Sequence, residues 1–196
     1  PGGFFCFVRN VLCYTNHMKR NVNLHRPFAV FDIDGTIFRS SLLIELNAKL
    51  VQKGIFPEHA RNKVIHVRDA WQNRQGTYQK YIDTIVDLYL HDIKGKKVKA
   101  IQSAAKELIA EQKNRVYVFT RDLIAKLRSS HILAIISFSP AEVVEEFQRV
   151  YRFDIAEGIT YEHRKGIYTG RLAEGTVLNK KAVLQNLIDR HNLSLR

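Results

Sequence analysis

Cysteine is nearly absent from this chain of 196 residues: only Cys6 and Cys13 occur, and both precede the sole methionine, Met18. Two cysteines near the start cannot form a disulfide framework or a cysteine-based zinc site in the rest of the chain. This scarcity is typical of a reducing compartment, so we expect a cytoplasmic location. Long apolar runs are lacking too, because none approaches the ~20 residues that a membrane-spanning helix needs, and we expect no membrane partner.

Acidic residues are outnumbered, with 19 Asp and Glu against 31 Lys and Arg, which gives a formal net charge of +12. Such a balance favours anionic partners, either small phosphorylated metabolites or nucleic acid. The basic run "KGKKVK" at residues 94–99 is better explained as a solvated turn or helix start than as a binding patch. Zinc-finger spacing and an aromatic, basic strand signature are missing, so a nucleic-acid-binding module is the weaker alternative.

The first seventeen residues, "PGGFFCFVRNVLCYTNH", have an unusual composition. A signal peptide is one interpretation, but no basic segment precedes the apolar stretch, and Arg9 interrupts it. The other interpretation is sequence translated from upstream of the true start, and we favour it. We therefore treat residues 1–17 as a non-native or disordered extension.

Hydrophobic periodicity predicts an α/β protein with a helical insertion after the first strand. Short apolar runs predict strands at Phe28–Ile33 and Ile132–Ser137, and "ITYEHRKGIYTGRL" predicts a hairpin that turns at Lys165–Gly166. Apolar residues at helical spacing predict helices within 40–89 and over 98–111, 116–127 and 179–191. The segment at Val116 also resembles a strand. Ser139 and Pro140 suit the N-cap and first position of one more helix.

Polar side chains end both predicted strands of the sheet. Asp32 and Asp34 follow the first strand, and Ser137 and Ser139 end the second. Two carboxylates this close repel each other, and burial increases the cost, so we expect a compensating cation. The carboxyl ends of parallel strands meet at one crevice. Oxygen ligands there suit Mg²⁺, and a metal-held carboxylate can attack phosphorus.

A lysine that could neutralise a phosphoryl group lies on the predicted last helix. Lys180 falls near the middle of that helix's apolar face, and Lys181 falls at its edge. Either lysine could serve, and we favour Lys180. The alternative is that Lys180 extends to solvent from the first turn of the helix.

Three motifs together resemble the haloacid dehalogenase superfamily of phosphatases, in its phosphoserine-phosphatase-like branch, subfamily IB. "DIDGT" is similar to the first motif, DxDGT, "AIISFSP" to the second, and "GIYTGRL…NKKAVLQNLI" to the stretch around the motif lysine. The likeness covers residues 28–187. It implies a Rossmann-like parallel sheet, with a core at 18–39 and 90–196 and a helical cap at 40–89.

The resemblance also implies roles for the residues that match its motifs. Asp32 would be the nucleophile that becomes phosphorylated and would bind Mg²⁺. Asp34 would be the general acid and base, and its backbone carbonyl would bind the metal. Phosphate would be held by Ser137, Lys180, Gly35 and Thr36. The implied activity is Mg²⁺-dependent hydrolysis of a small phosphomonoester; phosphotransfer with the same nucleophile is an alternative, as is a degenerate, non-catalytic domain.

Two departures from the family pattern limit these expectations. No acidic fourth motif follows Lys180 before the chain ends at "HNLSLR", so we expect a C-terminal truncation with the last strands missing and one acidic metal ligand lost. Phosphoserine phosphatases place a glutamate just after the first motif, whereas here the first glutamate is Glu45. Phosphoserine is therefore a doubtful substrate. Arg39, Arg68 and Arg74 are candidate contacts for an acidic substrate.

Overall fold

A computed structural model describes residues 27–177, 179–191 and 193 of the chain. The predicted extension at residues 1–17, with both cysteines, lies outside the described residues. The elements of the described part follow in this order: β1 (Phe28–Phe31), α1 (Leu42–Gln52), α2 (Glu58–Gln72), α3 (Tyr78–Ile93), α4 (Val98–Gln112), α5 (Val118–Leu127), β2 (Ile132–Pro140), α6 (Ala141–Tyr151), β3 (Ile155–Ile159), β4 (Tyr161–Arg164), β5 (Ile167–Leu172) and α7 (Lys180–His191).

Three parallel strands form the main sheet, in the order β1-β2-β3. Phe28 of β1 lies opposite Ile132 of β2, and Ile155 of β3 lies opposite Ala134. Parallel neighbours require a crossover between them, which the helical segment supplies after β1 and α6 supplies after β2. The predicted α/β, Rossmann-like architecture is thereby confirmed. In the described sheet β1 has a neighbour on one side only.

Both faces of the sheet are covered, and β2 divides its side chains between them. Leu133 and Ile135 enter the larger hydrophobic core, while Ile132, Ala134 and Ile136 enter a smaller core on the opposite face. This alternation follows from the two-residue period of a strand. The smaller core is closed by the apolar face of α7, whose buried residues are Val183, Leu187 and Ile188. Burial on both faces explains why β2 is a nearly continuous apolar run.

The helical insertion leaves and rejoins the sheet region at one point. Phe38 and Val116 form an antiparallel bridge, and beside it the Arg39 N–H donates to the Arg115 carbonyl at 3.0 Å. Helices α1 to α4 all lie between these two chain crossings. The sequence led us to expect an insertion over 40–89 only. Because the chain returns at Val116, we propose that the insertion also includes α4, which packs on α1 and α6.

The hairpin β4–β5 turns where the sequence predicts. Lys165 and Gly166 both have positive φ, 52° and 78°, as the two-residue turn that matches strand twist requires. The hairpin docks on the connection between α3 and α4: the Gly95 N–H donates to the Tyr168 carbonyl at 2.8 Å. The basic run at 94–99 is this connection and the start of α4.

Three local predictions are wrong in their bounds or caps, and tertiary contacts explain the first two. Ser139 does not cap a helix; β2 continues through Pro140, α6 begins at Ala141, and no side chain caps it. The helix expected from Val116 begins only at Val118, because Val116 is paired with Phe38. The strand predicted at Phe28–Ile33 ends earlier, at Phe31. Within the described residues, no helix is long and apolar enough to cross a membrane.

Candidate active site

The first carboxylate of the site, Asp32, forms an ion pair with Lys180. Lys180 Nζ lies 2.6 Å from Asp32 Oδ1, and the two side chains are only 15% and 10% exposed. Asp32 follows β1, and Lys180 is the first residue of α7, so the contact joins elements 148 residues apart. Within the described residues, the other oxygen, Asp32 Oδ2, has only a long contact of 3.5 Å with the Thr36 hydroxyl. A positively charged group therefore neutralises Asp32 and leaves one of its oxygens nearly free.

The second carboxylate, Asp34, accepts three hydrogen bonds. The backbone N–H of Leu42, at the start of α1, donates to Oδ1 at 2.6 Å. The hydroxyls of Ser137 and Ser139 both donate to Oδ2 at 2.9 Å. The Leu43 N–H in turn donates to the Ser139 hydroxyl oxygen at 2.9 Å. Donors from the end of β2 and from the N-terminus of α1 thus fix the Asp34 side chain in place. The positive end of the α1 dipole faces its carboxylate.

The protonation of Asp34 reflects competition between its burial and its donors. Burial of the carboxyl group raises its pKa above the ordinary value, and the negative charge of Asp32 adds to the increase. The Leu42 N–H and the two serine hydroxyls act in the opposite direction, because they stabilise the charged form. Burial prevails, so Asp34 holds a proton at higher pH than an exposed aspartate would. That is the property required of a general acid.

The alternation of β2 explains why three consecutive residues reach this site from different sides. Ser137 and Ser139 lie on one face of the strand and contact Asp34. Phe138 points the other way, and Lys180 Nζ lies 4.8 Å from the centre of its ring. The sequence placed Ser139 at the crevice, but we did not predict its hydrogen bond to Asp34 or the contact of Phe138 with Lys180. The period-2 spacing of "SFS" at the strand end was the available signal, since it places both hydroxyls on one side.

Gly35 and Thr36 form the tight turn after Asp34. Gly35 has φ of +75°, which a residue with a side chain rarely adopts. Its N–H donates to the carbonyls of Phe38 and Ser40 at 3.0 and 3.2 Å, and the Thr36 N–H donates to the Ile33 carbonyl at 3.2 Å. These N–H groups stabilise the turn in the described state. Phosphate binding by Gly35 and Thr36, and by the Ser137 hydroxyl that donates to Asp34, stays a prediction.

The remaining candidate residues are distributed around the site. Lys181 is exposed, so the structure brings Lys180 and not Lys181 to Asp32. Arg39 is exposed with its guanidinium carbon 5.9 Å from the Tyr117 ring centre, and Arg74 is exposed in a turn with φ of 59°. Arg68 pairs with the neighbouring Asp69 at 2.9 Å. Among the described residues, none of the three arginines forms a hydrogen bond or an ion pair with either aspartate of the site.

The oxygen donors at the site suit a cation that has few protein ligands. No group of three or more His, Cys, Asp or Glu side chains that could hold a metal occurs in the described residues. Both Asp34 carboxylate oxygens are engaged in hydrogen bonds, so Asp32 is the carboxylate at this site that could bind a metal. Mg²⁺ uses one or two protein carboxylates and keeps several waters. Asp32, with the backbone carbonyl of Asp34, would suit such an ion.

Comparisons with known proteins agree with this architecture. The profile of the haloacid dehalogenase-like hydrolase family matches residues 29–195. A protein of unknown function from Bordetella pertussis Tohama I is similar in structure, with a TM-score of 0.68, 17% identity and coverage of 87% of this chain and 77% of that one. Two phosphoserine phosphatase structures share the fold more loosely. One is a phospho-aspartyl intermediate analogue (TM-score 0.51, 14% identity, coverage 87% and 74%), and the other, from T. onnurineus, is in complex with NDSB-201 (TM-score 0.51, 19% identity, coverage 87% and 74%).

No match was found among curated proteins. The family match spans most of the sequence, and it includes both aspartates, the end of β2 and Lys180. The predicted resemblance is therefore confirmed at the level of family and fold. This chain belongs to the haloacid dehalogenase-like hydrolases.

Proposed function

We propose that this protein is a Mg²⁺-dependent phosphatase that hydrolyses a small phosphomonoester through an aspartyl-phosphate on Asp32. The observation that carries the proposal is the 2.6 Å contact of Lys180 Nζ with Asp32 Oδ1 beside the nearly free Oδ2. A nucleophilic carboxylate needs one accessible oxygen and a cation close to the transferring phosphoryl group. Mg²⁺, when bound, would supply further positive charge to the phosphoryl oxygens.

The first half of the reaction uses both aspartates. Asp32 Oδ2 forms a bond to phosphorus while the bond between phosphorus and the alcohol oxygen breaks. Lys180 stabilises the negative charge on the phosphoryl oxygens. The proton of the Asp34 carboxyl group passes to the departing alcohol oxygen. Asp34 Oδ1 is suited to hold that proton, because it accepts one hydrogen bond whereas Oδ2 accepts two.

The second half regenerates the carboxylate of Asp32. Asp34, now ionised, takes a proton from water as the water oxygen attacks phosphorus. The bond between phosphorus and Asp32 breaks, and phosphate leaves. Ser137 and Ser139 keep the Asp34 carboxyl group oriented through both proton transfers, since they donate to the same oxygen.

The test is turnover of p-nitrophenyl phosphate with Mg²⁺, followed by trapping of the intermediate. We expect Asp32→Asn to abolish turnover, EDTA to suppress it, and added Mg²⁺ to restore it. When the reaction of the unchanged protein with ³²P-labelled substrate is quenched with acid, label should remain on the protein. Hydroxylamine should release this label, because hydroxylamine cleaves acyl phosphates. Lys181→Gln is the matched control, because Lys181 is exposed and adjacent to Lys180, and it should behave like the unchanged protein. Turnover that survives in Asp32→Asn would refute the proposed nucleophile.

A further inference from the structure

Three aromatic rings gather where α2 ends and α3 begins. We call Trp71, Tyr78 and Tyr81 the aromatic shelf. Trp71 and Tyr81 are stacked, with centroids 5.6 Å apart and planes 10° apart, and Tyr78 packs against both at 5.1 and 6.2 Å. Tyr81 is buried, but Trp71 is 36% exposed and Tyr78 is 51% exposed. Large aromatic surface left open to solvent on an ordered cluster often marks a binding site.

The aromatic shelf stands beside the candidate active site. Helices α1 and α2 pack together and are joined by the short connection at residues 53–57, so the end of α2 returns to the end of the pair where α1 begins and where the Leu42 N–H donates to Asp34. In agreement with this placement, burial raises the pKa of the Tyr78 hydroxyl, and the carboxylates of Asp34 and Asp32 raise it further. Burial also raises the pKa of the Tyr81 hydroxyl; Arg68 opposes this shift, and the carboxylate of Glu45 adds to it. Glu45 belongs to the first turn of α1, the helix whose first N–H donates to Asp34. The shelf is therefore part of the insertion's wall over the crevice.

Two charged groups of the neighbouring helices, Glu45 and Arg68, already have partners within the described residues. Glu45 accepts hydrogen bonds from Ser40, Arg115 and Gln112 at 2.7, 2.8 and 3.0 Å, and its side chain is only 18% exposed. Arg68 donates to Asp69 at 2.9 and 3.1 Å. To bind an ammonium group at Glu45 or a carboxylate at Arg68, the site would have to break these pairs. The open aromatic surface needs no such exchange.

We propose that the aromatic shelf binds the alcohol portion of the substrate, and that this portion carries an uncharged aromatic ring. The inference rests on the proposed phosphatase function and names its substrate class. A planar ring suits the shelf because stacking and edge-to-face contacts add to the effect of apolar burial. A quaternary ammonium suits it less. Such ions are bound in cages of separated rings, whereas Trp71 and Tyr81 lie face to face.

The experiment compares substrates whose leaving groups are all primary alkyl alcohols: 2-phenylethyl phosphate, O-phosphoserine and phosphocholine. Differences in kcat/KM then report on recognition and not on leaving-group reactivity. We expect the ring substrate to be preferred. Trp71→Ala should reduce its kcat/KM by about 5- to 100-fold, mainly through KM, since stacking on one aromatic side chain has roughly that effect. The same variant should change phosphoserine turnover by less than about 3-fold.

Two further variants separate recognition from folding. Trp71→Phe keeps a stacking ring and should retain most of the ring preference. Phe119→Ala removes another exposed ring, 79% exposed on α5 and outside the shelf, and should leave the preference unchanged. Equal turnover of the three substrates, a preference for phosphocholine, or an equal effect of Trp71→Ala on all of them would overturn the inference.

A binding measurement keeps the inference testable even without turnover. Trp71 is the sole tryptophan of the chain, so intrinsic fluorescence reports on the shelf directly. Titration with 3-phenylpropylphosphonate, which cannot be hydrolysed, should change this fluorescence, and a phosphonate analogue of phosphoserine should not at the same concentration. If no phosphomonoester is turned over, the proposed function is wrong. A fluorescence change specific to the ring compound would still support ring binding by the aromatic shelf. Without such a change, ring binding by the shelf would be refuted as well.

Discussion

The ion pair of Lys180 with Asp32 should stabilise the folded chain measurably, although it lies at a candidate active site. At 2.6 Å, Coulomb attraction between unit charges is about 6 kcal/mol at an effective dielectric constant near 20, and about 1.6 kcal/mol in bulk water. Desolvation of two largely covered side chains offsets part of this attraction. We therefore expect a net coupling free energy of about 2 kcal/mol between the two side chains.

A double-mutant cycle isolates this coupling from other effects of the substitutions. Lys180 is the first residue of α7, where a positive charge opposes the helix dipole by about 0.3–1 kcal/mol. Lys180→Gln removes that penalty along with the ion pair, so the single variant underestimates the pair. The cycle of Lys180→Gln with Asp32→Asn cancels the dipole contribution, because it is present in both backgrounds. Lys181→Gln is the control, since Lys181 is in the same helical turn but exposed.

The assay is urea unfolding followed by circular dichroism, in buffer free of phosphate and divalent ions. Equal m-values among the variants would show that the free energies of unfolding are comparable. We expect Lys181→Gln to change the free energy of unfolding by less than about 0.5 kcal/mol. A coupling below that value, or a Lys181→Gln effect as large as that of Lys180→Gln, would show that Lys180 does not neutralise Asp32 in solution.

Two other predictions concern β3 and its contacts. Gly158→Ala should lower the free energy of unfolding by about 1–3 kcal/mol in the same assay, because a Cβ there would lie 3.0 Å from Val144 Cβ of α6; unchanged stability would contradict this close packing. The free energy of unfolding of Glu157→Gln should rise relative to that of the unchanged chain as pH increases above about 4.5. The reason is that burial raises the pKa of Glu157 above that ordinary value, even though Arg190 opposes the shift. A protein loses stability as pH rises through the raised folded-state pKa of one of its carboxyl groups. Urea unfolding at several pH values should therefore show the difference in free energy of unfolding between the two chains growing and then levelling off. A difference that shrinks with rising pH would contradict the prediction.

Elements whose turns or caps are formed by residues close in the sequence were predicted from the sequence alone. The hairpin turn at Lys165–Gly166 was confirmed because a two-residue turn with two positive φ angles has few alternatives. The last helix was predicted to within one residue, since Asn179 accepts the N–H groups of Lys181 and Ala182 through its side chain. In both places the turn or cap is made by neighbours in the sequence.

Predictions failed where a distant partner decides the structure. Ser139 followed by Pro140 has the composition of a helix start, yet Ser139 continues the strand because its hydroxyl bonds Asp34 and Leu43. Val116 has apolar neighbours at helical spacing, yet it pairs with Phe38 across the base of the insertion. A place for Lys180 at the crevice was predicted from the apolar face of α7, although its direct contact with Asp32 was not. The aromatic shelf was not, because nothing local to Trp71 indicates which surface it faces.

The paired carboxylates after β1 predict a compensating cation, and the folded chain itself supplies part of the compensation. Asp32 receives the charge of Lys180, and Asp34 receives two hydroxyls and the N-terminus of α1. Because α1 opens the insertion, the same hydrogen bonds that hold Asp34 also fix the position of the helix that leads to the aromatic shelf. A phosphorylated substrate that displaced the Asp34 hydrogen bonds would therefore act on the insertion as well as on the carboxylates. The hydrogen bonds to Asp34 therefore have two effects in this fold. They stabilise the carboxylate, and they position the helix that leads to the aromatic shelf.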